Sequence, residues 1–360
     1  MPRPADGTTT ASPGYRPSGA RPGTEARRPR IAFAMEPAAA QSLLEAEVLD
    51  ALAEFTDPEP LPALHGLRTD RARRVLADVE LLVTGWGCPP LDEDVLAAAP
   101  ALRAVAHTAG SVRGHITEAC WERGVEVSSA AAANARPVAE YTVAMILLSG
   151  KRVLETARAY AARRDRGDWL ASPPGMGNYR RTVGICSASL IGRRVIELLR
   201  PYDFEVLLYD PYVSAEEAAA LGVRPVELPE LFAAGDVVSV HTPLLPATRG
   251  LVTRELLAAM RPGAVLLNTA RGAVLDQDAL TEAVLAGRIS AVLDVTEPEV
   301  LPPGHPLWEC ENALITPHIA GSLGNELRRL ADLTVSEVAR WAAGEGFAHP
   351  VRRERLAYLA

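Results

Sequence analysis

Three short segments in the second half of the chain carry side chains suited to work on a carbon that bears a carboxylate. They are Asn268-Thr269-Ala270-Arg271-Gly272, Asp294-Val295-Thr296-Glu297-Pro298-Glu299 and Thr316-Pro317-His318-Ile319-Ala320-Gly321. Arg271 offers a planar fork that can grip a carboxylate through two parallel hydrogen bonds. His318 can pass a proton to or from an oxygen on the adjacent carbon. Glu299 would hold the imidazole in orientation. Glu297 competes for that place, and spacing alone does not choose between the two. A 2-oxo acid fits this set, with its carboxylate on the arginine and its C2 oxygen facing the histidine. Each residue alone would carry little weight. Their joint occurrence on successive strand ends is what points to a site.

Those segments must be positioned by strands. Apolar runs of strand length occur at Thr182 to Cys186, Val206 to Tyr209, Val237 to Val240, Val265 to Leu267, Ala291 to Leu293 and Ala313 to Ile315, with helical stretches between. Continuous Val/Ile/Leu runs are what a sheet covered on both faces requires. In such a parallel sheet, all three segments lie beyond carboxyl ends, where ligands bind. An earlier alternating series has strands at Ile31 to Ala34, Leu81 to Val83, Ala104 to Ala106 and Val125 to Val127, and a helix at Asp92 to Ala99. The expected fold is therefore α/β, two doubly wound parallel-sheet (Rossmann- and flavodoxin-like) domains with the active site in the cleft between them. Pro137 to about Arg163 reads as one long helix with Pro137 in its first turn. Residues 172–178 read as a loop. A last helix, about Leu323 to Ala343, is expected to return to the first domain. The expected division is 1–30 as an unstructured tail, 31–130 plus 323–360 as the substrate domain, and 131–322 as the dinucleotide-binding domain. The tail is rich in Pro, Gly, Arg, Ser and Thr and nearly lacks large apolar residues, so it cannot bury enough surface to order itself.

The second series opens as strand, tight turn, helix, strand and terminal acid, the pattern of a dinucleotide site. The turn is Ser187-Ala188-Ser189-Leu190-Ile191-Gly192, and Asp210 ends the second strand. Amides at the helix start can bind a pyrophosphate. Asp210 can accept bonds from ribose hydroxyls, and its charge opposes a 2′-phosphate, which favours NAD over NADP. Serine replaces glycine at the first two positions of G-x-G-x-x-G. A serine hydroxyl can bond a phosphate oxygen; the competing expectation is weakened cofactor binding.

Composition bounds the rest. The 360 residues are 48% hydrophobic and 23% charged, enough for two buried cores. A net charge of −8 argues against nucleic-acid binding. Cys88, Cys120, Cys186 and Cys310 are scattered without a CxxC pair, so no metal and no disulfide framework is expected. No apolar run is long enough for a bilayer and the amino terminus lacks a signal-peptide core, so no membrane is expected and the cytoplasm is the expected compartment.

The second half resembles the D-isomer-specific 2-hydroxyacid dehydrogenase family, which includes glyoxylate/hydroxypyruvate reductases and phosphoglycerate dehydrogenases. The matching stretches are T-V-G-I at 182–185, L-L-Y-D-P at 207–211, H-T-P-L-L-P-A-T-R-G at 241–250, M-R-P-G-A-V-L-L-N-T-A-R-G at 260–272, L-D-V-T-E-P-E at 293–299, H-P-L-W at 305–308 and I-T-P-H-I-A-G at 315–321. The resemblance implies that Arg271 binds the substrate carboxylate, His318 donates the proton and Glu299 supports His318. It implies cofactor contacts at Ser187, Ser189, Leu190, Ile191, Asp210, Pro243, Thr269, Ala270 and Asp294, the last toward the nicotinamide carboxamide. It also implies that main-chain amides around Ala109 and Gly110 share the substrate carboxylate, with Ser111 where a second glycine is common. Asn134 to Glu140 resembles the hinge and linking helix. The implied activity is interconversion of a small 2-oxo acid and its D-2-hydroxy acid with NAD, in a homodimer. An alternative within the same resemblance is a non-catalytic, NAD(H)-sensing corepressor-like interaction protein with an impaired cofactor loop. Trp86, in T-G-W-G at a first-domain strand end, is a candidate for the substrate pocket or for core packing.

Overall fold

A computed structural model of the protein describes residues 28–165, 167–168 and 175–356. Most of the tail expected at 1–30, and residues 172–174 of the expected loop, lie outside the described residues.

Two parallel sheets organise the chain. The first contains β1 (Arg30–Ala34), β2 (Asp57–Pro58), β3 (Leu81–Thr84), β4 (Ala104–His107) and β5 (Glu126–Ser129), in the order β2-β1-β3-β4-β5. The second contains β6 (Thr182–Cys186), β7 (Glu205–Tyr209), β8 (Arg224–Pro225), β9 (Val237–Val240), β10 (Val265–Asn268), β11 (Ser290–Leu293) and β12 (Ala313–Ile315), in the order β12-β11-β10-β9-β6-β7-β8. Every strand pairing within both sheets is parallel. The order reverses between β1 and β3 in one sheet and between β6 and β9 in the other, giving each a switch point at its carboxyl edge. The edge strands β2 and β8 have two residues each and contain proline. They are too short to leave a sequence pattern, and proline is tolerated there because an edge strand need not donate every ladder bond.

The apolar runs are continuous because successive side chains feed opposite cores. On β1, Ala32 and Ala34 enter one core of the first sheet while Ile31 and Phe33 enter the other. On β9, Val238 and Val240 face one core of the second sheet and Val237 the other. The late helix Leu327–Ala342 places Leu330, Ala331 and Val338 in the core that holds Ile31 and Phe33. The carboxyl-terminal part of the chain thus packs on the first sheet.

The long helix differs from the sequence expectation. It runs Ala131–Gly150, is interrupted, and resumes as Val153–Arg163. Pro137 lies inside it rather than in its first turn, because the alanine-rich residues 130–133 extend the helix toward the amino terminus. The interruption has a physical cause in the segment that crosses the helix end. Gly177 N–H donates to the Gly150 carbonyl at 2.7 Å and Asn178 Nδ2 donates to the Leu147 carbonyl at 3.0 Å. Carbonyls that would have continued the helix are satisfied elsewhere. Arg152 then takes φ = 48°, which redirects the chain.

Among the described residues, no helix is long and apolar enough to cross a membrane, and no group of His, Cys, Asp and Glu is arranged to hold a metal ion.

Candidate active site

The carboxyl edges of the two sheets face one another across a cleft of about 370 Å3, within the range typical of small-molecule sites. From the first sheet and the hinge helix it is lined by Trp86, Gly110, Ser111, Asn134 and Val138, among others. From the second it is lined by Ser189, Leu190, Ile191, Pro243, Thr269, Ala270, Arg271, Asp294 and His318.

A histidine–glutamate pair forms across two strand ends. His318 Nδ1 and Glu299 Oε1 are 2.6 Å apart, both side chains about half exposed. Glu297 instead lies 3.8 Å from Arg249, so geometry selects Glu299. With Nδ1 committed to the carboxylate, Nε2 is the ring atom left for a ligand. His318 sits at φ = 55°, a left-handed conformation uncommon outside glycine. Its amide donates to the carbonyls of Asp294 (3.0 Å) and Thr316 (2.9 Å).

Asp294 explains how that conformation is held. Its carboxylate is buried and accepts from Thr316 Oγ1 (2.6 Å), Ile319 N (2.8 Å) and Ala320 N (2.9 Å). Three bonds to one carboxylate therefore bracket His318 on both sides. Thr316 spends its single proton on Asp294, so the 2.9 Å contact with Tyr141 Oη is a bond donated by the tyrosine. Burial pushes the Tyr141 phenol up from its ordinary value and keeps it a donor. Ser322 N donates to Asn134 Oδ1 at 2.9 Å, a second tie from the hinge helix to this loop. Sequence reasoning gave no role to Tyr141 or Thr316. Thr316 was legible as the first residue of the T-P-H segment; Tyr141 had no local signal.

Arg271 is presented by a clamp at the end of β10. Asn268, fully buried, donates from Nδ2 to the Arg271 carbonyl (2.9 Å) and accepts at Oδ1 from Ala270 N (2.9 Å). The guanidinium donates from Nη1 to the Ala270 carbonyl at 2.6 Å and lines the cleft with its remaining donors.

The dinucleotide turn keeps its shape despite the serines. Ser187 takes φ = 81°, the left-handed region that a glycine would occupy without strain. Its hydroxyl bonds Thr242 Oγ1 at 2.9 Å. Ser189 is the N-cap of the helix Leu190–Leu199 and accepts from Gly192 N at 3.3 Å. Amides of Leu190 and Ile191 stay at the open helix start. Gly192 cannot be replaced, since a Cβ there would lie 2.1 Å from the Ser187 carbonyl oxygen. The turn, the open helix start and Asp210 at the end of β7 together fit a dinucleotide. Asp210 accepts from Ala188 N and Tyr212 N, both at 2.8 Å, which fixes the carboxylate beside the turn and leaves lone pairs for ribose hydroxyls.

Ser187, Asp210, Ala109 and Glu299 do not line the main cleft: Ser187 and Ala109 are buried, Asp210 lies beyond the turn, and Glu299 stands behind His318. His241 does line it, with no role assigned from sequence. Its Nε2 is 2.9 Å from Ser239 Oγ, its Nδ1 is buried without a partner, and burial pushes its pKa down to about 3.

Comparison with known proteins follows the same lines. A family model described as "D-isomer specific 2-hydroxyacid dehydrogenase, NAD binding domain" matches residues 143–320. The chain is 36% identical over 259 residues to D-3-phosphoglycerate dehydrogenase of Mycobacterium tuberculosis, covering 71% of this chain and 48% of that protein. The chain spans about half the length of such curated relatives. It is 32% identical over 258 residues to glyoxylate reductase of Korarchaeum cryptofilum, covering 71% of this chain and 78% of that one. The solved structure of the TT0316 protein from Thermus thermophilus is 33% identical with a TM-score of 0.69, covering 90% of this chain and 100% of that one.

Proposed function

The chain belongs to the D-isomer specific 2-hydroxyacid dehydrogenase family, and from that premise we propose that it is an NAD-dependent oxidoreductase interconverting a small 2-oxo acid and its D-2-hydroxy acid. The observation that carries this reading is the 2.6 Å His318–Glu299 contact in a cleft that Arg271 also lines. When bound, the reduced nicotinamide would supply the hydride. The protein's own groups do the rest. Arg271 grips the substrate carboxylate, helped by the main chain at Ala109 and Gly110, and so fixes C2 and its oxygen. His318 gives the proton from Nε2 to the oxygen formed on C2, and takes it back in the oxidative direction. Glu299 holds the imidazole so that Nε2 faces the cleft. Ser189, Leu190, Ile191, Asp210, Pro243, Thr269, Ala270 and Asp294 border the cofactor, with Ser187 shaping the turn.

In the same reading, residues 31–130 with 323–360 form the substrate domain, and 131–322 the NAD domain, of a cytoplasmic homodimer. The helix Val153–Arg163 supports the dimer. It buries none of its residues, exposes Tyr160, and exposes Val153 and Leu154 beside a cavity of about 190 Å3 at the amino edge of the second sheet. The alternative of a non-catalytic dinucleotide sensor finds no support in the site or in the relatives described above.

The test is oxidation of NADH, followed by absorbance, with a panel of 2-oxo acids including glyoxylate and hydroxypyruvate. Turnover with at least one acid is expected. NADH binding without turnover of any would reject the enzyme.

A further inference from the structure

Resting on the dehydrogenase reading, we propose that the cleft selects a monoanionic 2-oxo acid with an uncharged, apolar substituent, and that Trp86 is the specificity-determining residue. Two independent observations carry this. The first is charge. Arg271 is the only arginine or lysine among the described residues that line the cleft. Neighbouring arginines are turned elsewhere: Arg113 donates to the Leu356 carbonyl, Arg136 pairs with Glu140 at 2.8 Å, and Arg249 lies 3.8 Å from Glu297. A substrate with a second anionic group, phosphate or carboxylate, would bring it into the cleft without a counter-charge once Arg271 is taken by the first.

The second observation is the apolar part of the same cleft lining. Trp86 is 39% exposed yet lines the cleft, together with Ala131, Ala135 and Val138. Core packing is therefore not its role. The turn that carries it is held rigidly. The Trp86 carbonyl accepts from Glu36 N at 2.9 Å, and Gly87 takes φ = 75° with a hypothetical Cβ only 2.7 Å from Glu36 Cβ. Only glycine fits there, so the backbone of the turn that carries the indole is fixed. An aromatic face so placed rewards apolar area on a ligand and offers nothing to an anion.

The experiment compares kcat/KM for phenylpyruvate, glyoxylate, 2-oxoglutarate and 3-phosphohydroxypyruvate. Phenylpyruvate is expected to exceed both acids that carry a second anionic group by on the order of 100-fold. Reduction of 3-phosphohydroxypyruvate or 2-oxoglutarate as fast as phenylpyruvate would overturn the proposal. Trp86→Ala should lower the phenylpyruvate-to-glyoxylate ratio about 10-fold, and Trp86→Phe should restore most of it; an unchanged ratio in Trp86→Ala removes the tryptophan from the argument. Calorimetric binding of phenylpyruvate and 3-phosphohydroxypyruvate to the NADH-loaded protein separates the two claims. A preference for phenylpyruvate in binding, with no reduction of either, keeps the selectivity and rejects the dehydrogenase. Tighter binding of the phosphorylated acid rejects the selectivity, whatever the turnover.

Discussion

Ser187 and His318 both occupy left-handed backbone, at φ = 81° and φ = 55°, and both sit at carboxyl ends of strands in the second sheet. Their surroundings differ. Ser187 is tied by its amide to the Tyr209 carbonyl and by its hydroxyl to Thr242, and it is buried. His318 is bracketed by three bonds to the Asp294 carboxylate, and its ring stands in the cleft. At one turn the left-handed residue only has to let the chain pass, and any residue that tolerates the angle suffices. At the other, the strained residue carries an imidazole that stands in the cleft, and a buried carboxylate is committed to holding it.

That contrast can be attacked from its strong side first. His318→Asn should lower kcat by about 10²- to 10⁴-fold, the usual share of a general acid, while NADH binds as before. Equal loss of NADH binding, read by fluorescence titration, would mean the residue is structural. Next, Arg271→Ala should lower kcat/KM on the order of 100-fold through loss of the bidentate grip. An unchanged value would show that the carboxylate lies elsewhere. Asp294→Asn keeps the shape but points an amide nitrogen at backbone donors. Leaving a buried donor unpaired should destabilise by about 1–3 kcal/mol, with activity falling as the His318 loop loosens. Retained melting temperature and kcat would cut the link between the carboxylate and the strained histidine.

Ser187→Gly is the smallest change and the direct counterpart. Relief of backbone strain, roughly 1–3 kcal/mol, is opposed by about 0.4–1 kcal/mol of added freedom in the unfolded chain and about 1 kcal/mol for the lost bond to Thr242. Thr242 keeps the Cys186 carbonyl as a partner at 3.4 Å. The net of these ranges runs from about 1 kcal/mol of destabilisation to about 1.6 kcal/mol of stabilisation, so the expected shift is small. A clear drop in melting temperature would show that the serine hydroxyl matters more than the angle.

Much of the scaffold was legible because its signals are local. Continuous apolar runs located the main strands, and Asp92, Ser189 and Asp276 act as N-caps at helix starts. Helix bounds were less legible: Pro137 marks a helix start locally, but the residues from Ala131 onward are already helical.

Residue identity alone supplied the inventory of candidate groups: a guanidinium after β10, a pair of glutamates after β11, an imidazole after β12 and a dinucleotide turn after β6. Their order follows from strand and helix periods, which need only neighbours along the chain. Packing settled which groups meet. It chose Glu299 over Glu297 for His318, turned Asp294 toward the histidine loop, linked Tyr141 to Thr316 across 175 residues, and set Trp86 in the cleft. Those choices depend on contacts between distant segments, whose partners exist only once both sheets are packed.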